Sequence, residues 1–165
     1  MQIESLAGLG HLASTLAEWH VEEFGNLYDE AVWNLEVAVR EMEQMATPGS
    51  TDVTLVAFGG TGRMASDVLG SVSLIATDDL PGFDHLMPWL ASLFVVQAGR
   101  GRGVGAALVD AAVELAAARG DDVVHLFTAG QEAYYLERGW RTITRVELGT
   151  HTATVMARSL KVWSG

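Results

Sequence analysis

The chain has 165 residues, 49 % apolar and 19 % charged, with no cysteine and a formal net charge of −11. This fits one ordered domain over residues 1–165 with a sizeable core, not a disordered chain. It excludes a disulfide framework, a thiolate metal site and a cysteine nucleophile. No apolar run approaches the roughly 18 residues of a membrane span. Met1-Gln2-Ile3-Glu4 lacks the basic region of a signal peptide, so the expected compartment is the cytoplasm.

The charge is uneven. Residues 1–50 carry nine carboxylates (Glu4, Glu18, Glu22, Glu23, Asp29, Glu30, Glu36, Glu41, Glu43) against Arg40 alone. Such a field repels nucleic acid and attracts cations. Charge runs are most often the solvated faces of helices. The sharper reading is an acidic lip for a cationic substrate.

Residues 1–48 read as helical, with a short strand near Gln2-Ile3-Glu4. Leu6, Leu9, Leu12, Ala13, Leu16, Trp19 and His20 recur near the helical period. Gly25-Asn26 breaks this helix. Asp29 is the expected N-cap of a second, with an apolar stripe of Val32, Trp33, Leu35, Val39, Met42 and Met45. Thr47-Pro48-Gly49-Ser50 ends it.

Val53–Phe58 and Val68–Ile75 read as a hairpin around Gly59-Gly60-Thr61-Gly62. Gly70 inside the return strand predicts a bulge or a close backbone neighbour. A long loop runs from Thr77 to His85, and Pro88-Trp89-Leu90 leads into another strand. Beyond the next loop, Val104 to Ala116 shows one apolar face of an Ala-rich helix ending at Arg119-Gly120. Val123–Phe127 is a buried strand, Gln131–Arg138 a short helix stopped by Gly139, and 142–148 and 152–157 two closing strands. Only the middle of this order is a βαβ unit. The expectation is therefore an α/β chain of the α+β kind: a central mixed, mostly antiparallel sheet with helices on both faces.

The stretch Leu93-Phe94-Val95-Val96-Gln97-Ala98-Gly99-Arg100-Gly101-Arg102-Gly103-Val104-Gly105-Ala106 runs from strand through a glycine-rich turn into a helix. The glycines let backbone approach a ligand closely, and the first helical N–H groups point at an anion. Arg100 and Arg102 add cationic donors. Gly101 to Ala106 matches G-x-G-x-x-A, but a dinucleotide fingerprint should open its domain and be followed by an acid at the end of the next strand. Here residues 1–92 precede it, and Thr128-Ala129-Gly130 stands where the acid belongs. A P-loop needs Gly-Lys-Ser/Thr, and Lys161 is the chain's one lysine.

Arg100-Gly101-Arg102-Gly103-Val104-Gly105 resembles the R-x-x-G-x-G/A signature of the GCN5-related N-acetyltransferases (GNAT), with Gln97 where the family commonly has proline. Ala133-Tyr134-Tyr135-Leu136-Glu137-Arg138-Gly139-Trp140 resembles the family's A-x-x-Y-x-x-x-G-F segment, with Trp for Phe. The hairpin with Gly70 and the approach from Pro88 to Val95 also match, so the resemblance covers about residues 50–160.

The resemblance implies an acetyl-CoA cleft where two strands splay. Phe94, Val95 and Val96 would pair with the pantetheine, and Arg100, Gly101, Arg102, Gly103, Val104, Gly105 and Ala106 would hold the pyrophosphate. Gln131 would contact the pantetheine arm. Tyr135 would protonate the leaving thiolate. The amine would attack the thioester directly, with a backbone N–H stabilising the oxyanion. The base is read only as a set of candidates: Glu22 and Glu23 at the end of the first helix, and Asp84 and His85 in the long loop. The scattered histidines predict no metal site. The acidic lip implies a cationic acceptor, a polyamine, an aminoglycoside-like amino sugar, or a peptide or protein amine, with small polyamino molecules ranked first; the family's aminoglycoside-modifying branch makes antibiotic resistance a credible setting. Relatives pair through their last strands, which implies a homodimer. The alternative is a non-catalytic acyl-CoA sensor or partner-binding domain of the same fold.

Overall fold

The computed structural model describes residues 1–78 and 80–161; Asp79, inside the long loop read above, lies outside the described residues. Seven strands form one sheet: β1 (Gln2–Ser5), β2 (Val53–Phe58), β3 (Val68–Ile75), β4 (Trp89–Val95), β5 (Val123–Thr128), β6 (Arg141–Leu148) and β7 (His151–Ser159), in the order β1-β2-β3-β4-β5-β7-β6. Every neighbouring pair is antiparallel except β4 and β5. The expected mixed, mostly antiparallel sheet is what forms. No helix among the described residues is long and apolar enough to cross a membrane.

Side-chain alternation sends one set of each strand's residues to each face. On one face, Leu55, Ala57, Val72 and Leu126 pack under α3 (Val104–Ala118) and the short α4 (Glu132–Leu136), with Leu108 and Ala112 fully buried between. On the other, Val56, Phe58 and Val68 meet α1 (Ala13–Phe24) and α2 (Leu35–Met45) through Leu12, Leu16, Ala38 and Met42. Further along this second face, Leu80, Phe83 and Leu86 of the long loop cover Trp89 and Val155.

The N-terminal third departs from its reading. Leu6 and Leu9 belong to the turns that lead off β1, and α1 begins only at Ala13. Asp29 does not cap a helix. Its Oδ1 accepts from the Ala31 N–H at 2.9 Å, closing a turn instead. Asn34 is the cap of α2: its Oδ1 accepts from the Val37 N–H at 3.2 Å. The buried stripe is therefore Ala38, Met42 and Met45, while Val32 and Leu35 are exposed. Both Asp and Asn cap helices well; the choice fell to the position whose following residues could bury a face against β2.

Gly70 has the close neighbour predicted for it. A Cβ there would lie 2.5 Å from the Phe94 carbonyl oxygen and 3.2 Å from Leu108. The strand pairing also shifts beside it, between Ala57 and Phe58. A bare backbone at this point lets β3, β4 and α3 close together.

Candidate functional site

β4 and β5 touch in register at one pair, Trp89 and His125, with the His125 N–H donating to the Pro88 carbonyl at 3.0 Å. Beyond it they diverge. Two features of β4 aim its backbone into the gap. Ser71 pairs with Phe94 and Ser73 with Ala91, so Ser92 and Leu93 together oppose Val72 in a β-bulge, and Ser92 takes φ 55. A non-glycine residue at that φ costs about 1 kcal/mol or more and is commonly found where a backbone group is re-aimed. Past the bulge, the Val96 N–H donates back to Leu69 at 2.9 Å. By antiparallel alternation, Phe94 and Val96 then turn to β3, and Leu93 and Val95 turn to the gap. The Val95 carbonyl is taken by Arg100 Nε at 3.2 Å. Of the three strand residues expected to meet a pantetheine, the geometry offers Val95, with Leu93 as the second; the Phe94 side chain instead packs on Trp19 and His20 of α1.

The gap opens a cleft of about 620 Å³. Because the sheet itself is parted, residues from both faces line it: Leu90, Leu93, Leu126 and Tyr135 from one layer, His20, Met42 and Ser73 from the other.

The glycine-rich loop follows β4 at the end toward which the strands diverge. Gly101 (φ 73) and Gly103 (φ 78) sit in left-handed conformations that L side chains rarely adopt, and Gly103 caps the start of α3. Arg100, Gly101, Arg102 and Gly103 are exposed, and neither arginine is in an ion pair among the described residues. Val104 is buried and anchors the helix, with Gly105 and Ala106 half-buried in its first turn. The result is a helix start whose first amides face outward, with two exposed cations outside any ion pair beside it.

Tyr135 lies across the cleft on α4, buried, with its ring against Tyr134 (centroids 5.1 Å) and Trp140 (5.8 Å). Burial pushes its phenol up to about 12; Tyr134 adds to the rise and Arg138 opposes it. The hydroxyl makes no hydrogen bond to the described residues. Gln131 lines the cleft too, its N–H donating to Thr128 Oγ1 at 3.2 Å. α4 is fastened to β6 by Glu132, which accepts from Thr142 and Arg145, each at 2.6 Å.

The α1–α2 side of the cleft carries Glu23, Glu41, Asp52 and Asp78 together with Phe24, Tyr28 and Trp33. His20 stands at its base, fully buried, with Nε2 3.1 Å from Ser71 Oγ. Burial depresses this imidazole to about 4, so it is neutral near pH 7.

Of the four candidate bases, only Glu23 lines the cleft. Glu22 is exposed beside it, off the lining. Asp84 and His85 are exposed on the long loop, where His85 stacks on Phe83 at 6.5 Å. That loop caps a hydrophobic cluster over β4 and β7, and neither Asp84 nor His85 is among the residues lining the cleft. His20, read on the apolar face of the first helix, is buried there; the sequence reading missed the bulge at Ser92 and the corner formed by Tyr28 and Trp33. A signal for the last was present, since two aromatics flank Asp29-Glu30, but it was absorbed into a helical stripe.

Residues 13–140 match the model of the acetyltransferase (GNAT) family. Among solved structures, the chain is similar to an aminoglycoside 6'-N-acetyltransferase complexed with coenzyme A, with TM-score 0.73 and 14 % identity over 100 % of both chains. It is similar to the aminoglycoside 6'-N-acetyltransferase from Enterococcus faecium, with TM-score 0.71 and 15 % identity over 100 % of both chains. It is also similar to a ribosomal-protein-alanine N-acetyltransferase from Brucella melitensis, with TM-score 0.70 and 19 % identity over 97 % of this chain and 100 % of the other. At these identities the likeness is one of fold. No curated protein matches the chain in sequence. The family match spans most of the chain, including the glycine loop and Tyr135, and the chain belongs to the GNAT acetyltransferase family.

Proposed function

We propose that the protein is an acetyl-CoA-dependent N-acetyltransferase whose acceptor is a primary amine on a small cationic molecule. The observation that carries this reading is a cleft through a parted sheet, lined on the α1–α2 side by carboxylates and aromatics, with a glycine-rich loop and two exposed arginines following β4 where the strands diverge. Three features fit coenzyme A. The divergence of β4 and β5 turns amide groups of Leu93 and Val95 into a gap, where a pantetheine amide would satisfy them. The amides from Gly101 to Ala106 suit a pyrophosphate, while the Arg100 N–H donates to the Gln97 carbonyl at 3.2 Å. Gln131 and Tyr135 flank the arm between.

In the reaction, the acceptor nitrogen forms its bond to the thioester carbonyl carbon and the carbon–sulfur bond breaks. The amide at the Ser92–Leu93 bulge donates to the oxygen as it becomes negative. Tyr135 donates to the departing sulfur. A phenol near 12 stays protonated, and full transfer to a thiolate whose ordinary pKa is about 8.5 would be uphill. Tyr135 thus acts chiefly as a hydrogen-bond donor in the closed cleft. The amine's proton leaves toward Glu23, directly or through water. His20, depressed to about 4, is too weak a base for it.

The test is release of free CoA thiol from acetyl-CoA with a panel of polyamines, aminoglycosides, amino acids and peptides. Turnover on the polycations is expected. Turnover only on amino acids or peptides overturns the acceptor class. Tight acetyl-CoA binding without turnover on any amine overturns the enzymatic reading in favour of a sensor. Tyr135→Phe should lower kcat about a hundredfold and leave acetyl-CoA affinity near normal. A homodimer belongs to the same proposal: β6 is an outer strand with Ile143 exposed, and sedimentation of the full chain decides it.

A further inference from the structure

Resting on the acetyltransferase reading, we infer that Tyr28, Trp33 and Glu41 form a subsite for a second cationic centre, so that the preferred acceptor is a diamine or polyamine and not a monoamine. The turn between α1 and α2 that presents these aromatics is firmly held. The Asp29 carbonyl accepts from both the Val32 and Trp33 N–H groups at 2.9 Å, and Asn34 Nδ2 donates to the Glu30 carbonyl at 3.0 Å. Yet the indole this turn carries is left half-buried on the cleft wall. The rings of Tyr28 and Trp33 stand 5.3 Å apart and tilted by 55°, a corner made of two π faces. Trp33 Nε1 donates to Glu41 Oε2 at 3.2 Å. That bond fixes the ring and sets a carboxylate at its edge, which makes the indole face richer in electrons.

The chemistry narrows the occupant. An anion would be repelled by Glu23 and Glu41. An apolar group would use the rings and gain nothing from the carboxylate at their edge, whose hydration it would displace. A cation is served by both, through cation–π attraction, strongest at tryptophan, and through charge. The reacting nitrogen cannot be that cation. To attack the thioester at the Ser92–Leu93 bulge it must be neutral, with its lone pair free. The group held by the corner is thus a different nitrogen of the same molecule, still protonated.

The experiment compares α,ω-diamines of three to six carbons with n-alkylamines of the same length, by thiol release with the full chain. The expected result is a kcat/KM about tenfold higher for the diamines, the size of a cation–π contact plus a charge pair. Trp33→Leu should bring the diamines down to the monoamine level, with KM for acetyl-CoA and kcat/KM for the monoamines within about twofold of wild type. Glu41→Gln, at an exposed position, should cost the diamines about threefold and the monoamines nothing; it carries the test if Trp33→Leu does not fold. Equal rates on both amine classes, or an equal loss on both in Trp33→Leu, would overturn the inference. Failure of the acetyltransferase reading itself would show as no turnover on any amine. Calorimetry with the diamines then decides the subsite: binding lost in Trp33→Leu supports it, and no binding to wild type overturns it.

Discussion

The glycine-rich loop and the α1–α2 wall of the cleft are built from different materials. The loop end is backbone: amides at the start of α3, glycines at positive φ, and a strand bulge that turns N–H groups outward. The α1–α2 end is side chain: rings and carboxylates on a turn held by Asp29 and Asn34. A backbone site works for any protein that binds the same ligand, and demands glycine or a small residue where the chain must bend or approach. A side-chain site can be rebuilt for each acceptor without disturbing the sheet.

The sharpest break in the comparison should come at Gly70, which belongs to the backbone half. Gly70→Val places side-chain carbon against the Phe94 carbonyl, where the nearest atom is backbone and cannot swing aside. A loss of about 3 kcal/mol or more is expected, measured as a lowered urea midpoint; an unchanged midpoint would mean that the close approach of β3 and β4 is not required.

Next is His20, which joins the two halves through Ser71. Its folded-state pKa is depressed to about 4 against an ordinary 6.5. Between those values the unfolded chain binds the proton and the folded one does not, so stability falls as pH drops through 6.5 toward 4, by about 3 kcal/mol in all. Glu4 and Glu132, held low chiefly by Arg63 and Arg145, lose stability in the same direction at lower pH. His20→Gln separates the contributions: its unfolding midpoint should fall less steeply than that of wild type from pH 7 to pH 4.5. Parallel curves would remove His20 as the cause.

The smallest effect is expected at Asn34. Asn34→Ala should cost about 1 kcal/mol of stability through the lost cap of α2. Asp29→Ala, which loses a turn bond and no helix cap, should cost less; the reverse order in thermal denaturation would restore Asp29 as the cap.

Most strands were legible because β2, β3, β5 and β7 carry β-branched and aromatic runs between glycine or proline signals. The glycine-rich loop was legible for the same reason: Gly101 and Gly103 stand where left-handed backbone is needed, and few other residues take it up. The N-terminal third was not. Leu6 and Leu9 fit a helical period by spacing, yet they fill the core from turns after β1, since period alone does not say which surface a leucine meets. Trp33 fits the same pattern and sits outside the helix. Asp84 and His85 have the chemistry of a base, but their loop packs over Trp89 and leaves both outside the cleft lining.

The sequence by itself determined where the chain bends, which runs become strands, and that a glycine-rich loop opens α3. Those properties are local: they follow from φ preferences, β-branching and the pattern of apolar residues within one segment. Only the tertiary structure decided that β4 and β5 part after Trp89 and His125, that Tyr135 faces the opening, and that Trp33, Tyr28 and Glu41 meet beside it. Each depends on how layers remote in sequence settle against the sheet, and no short-range preference encodes the distance between them.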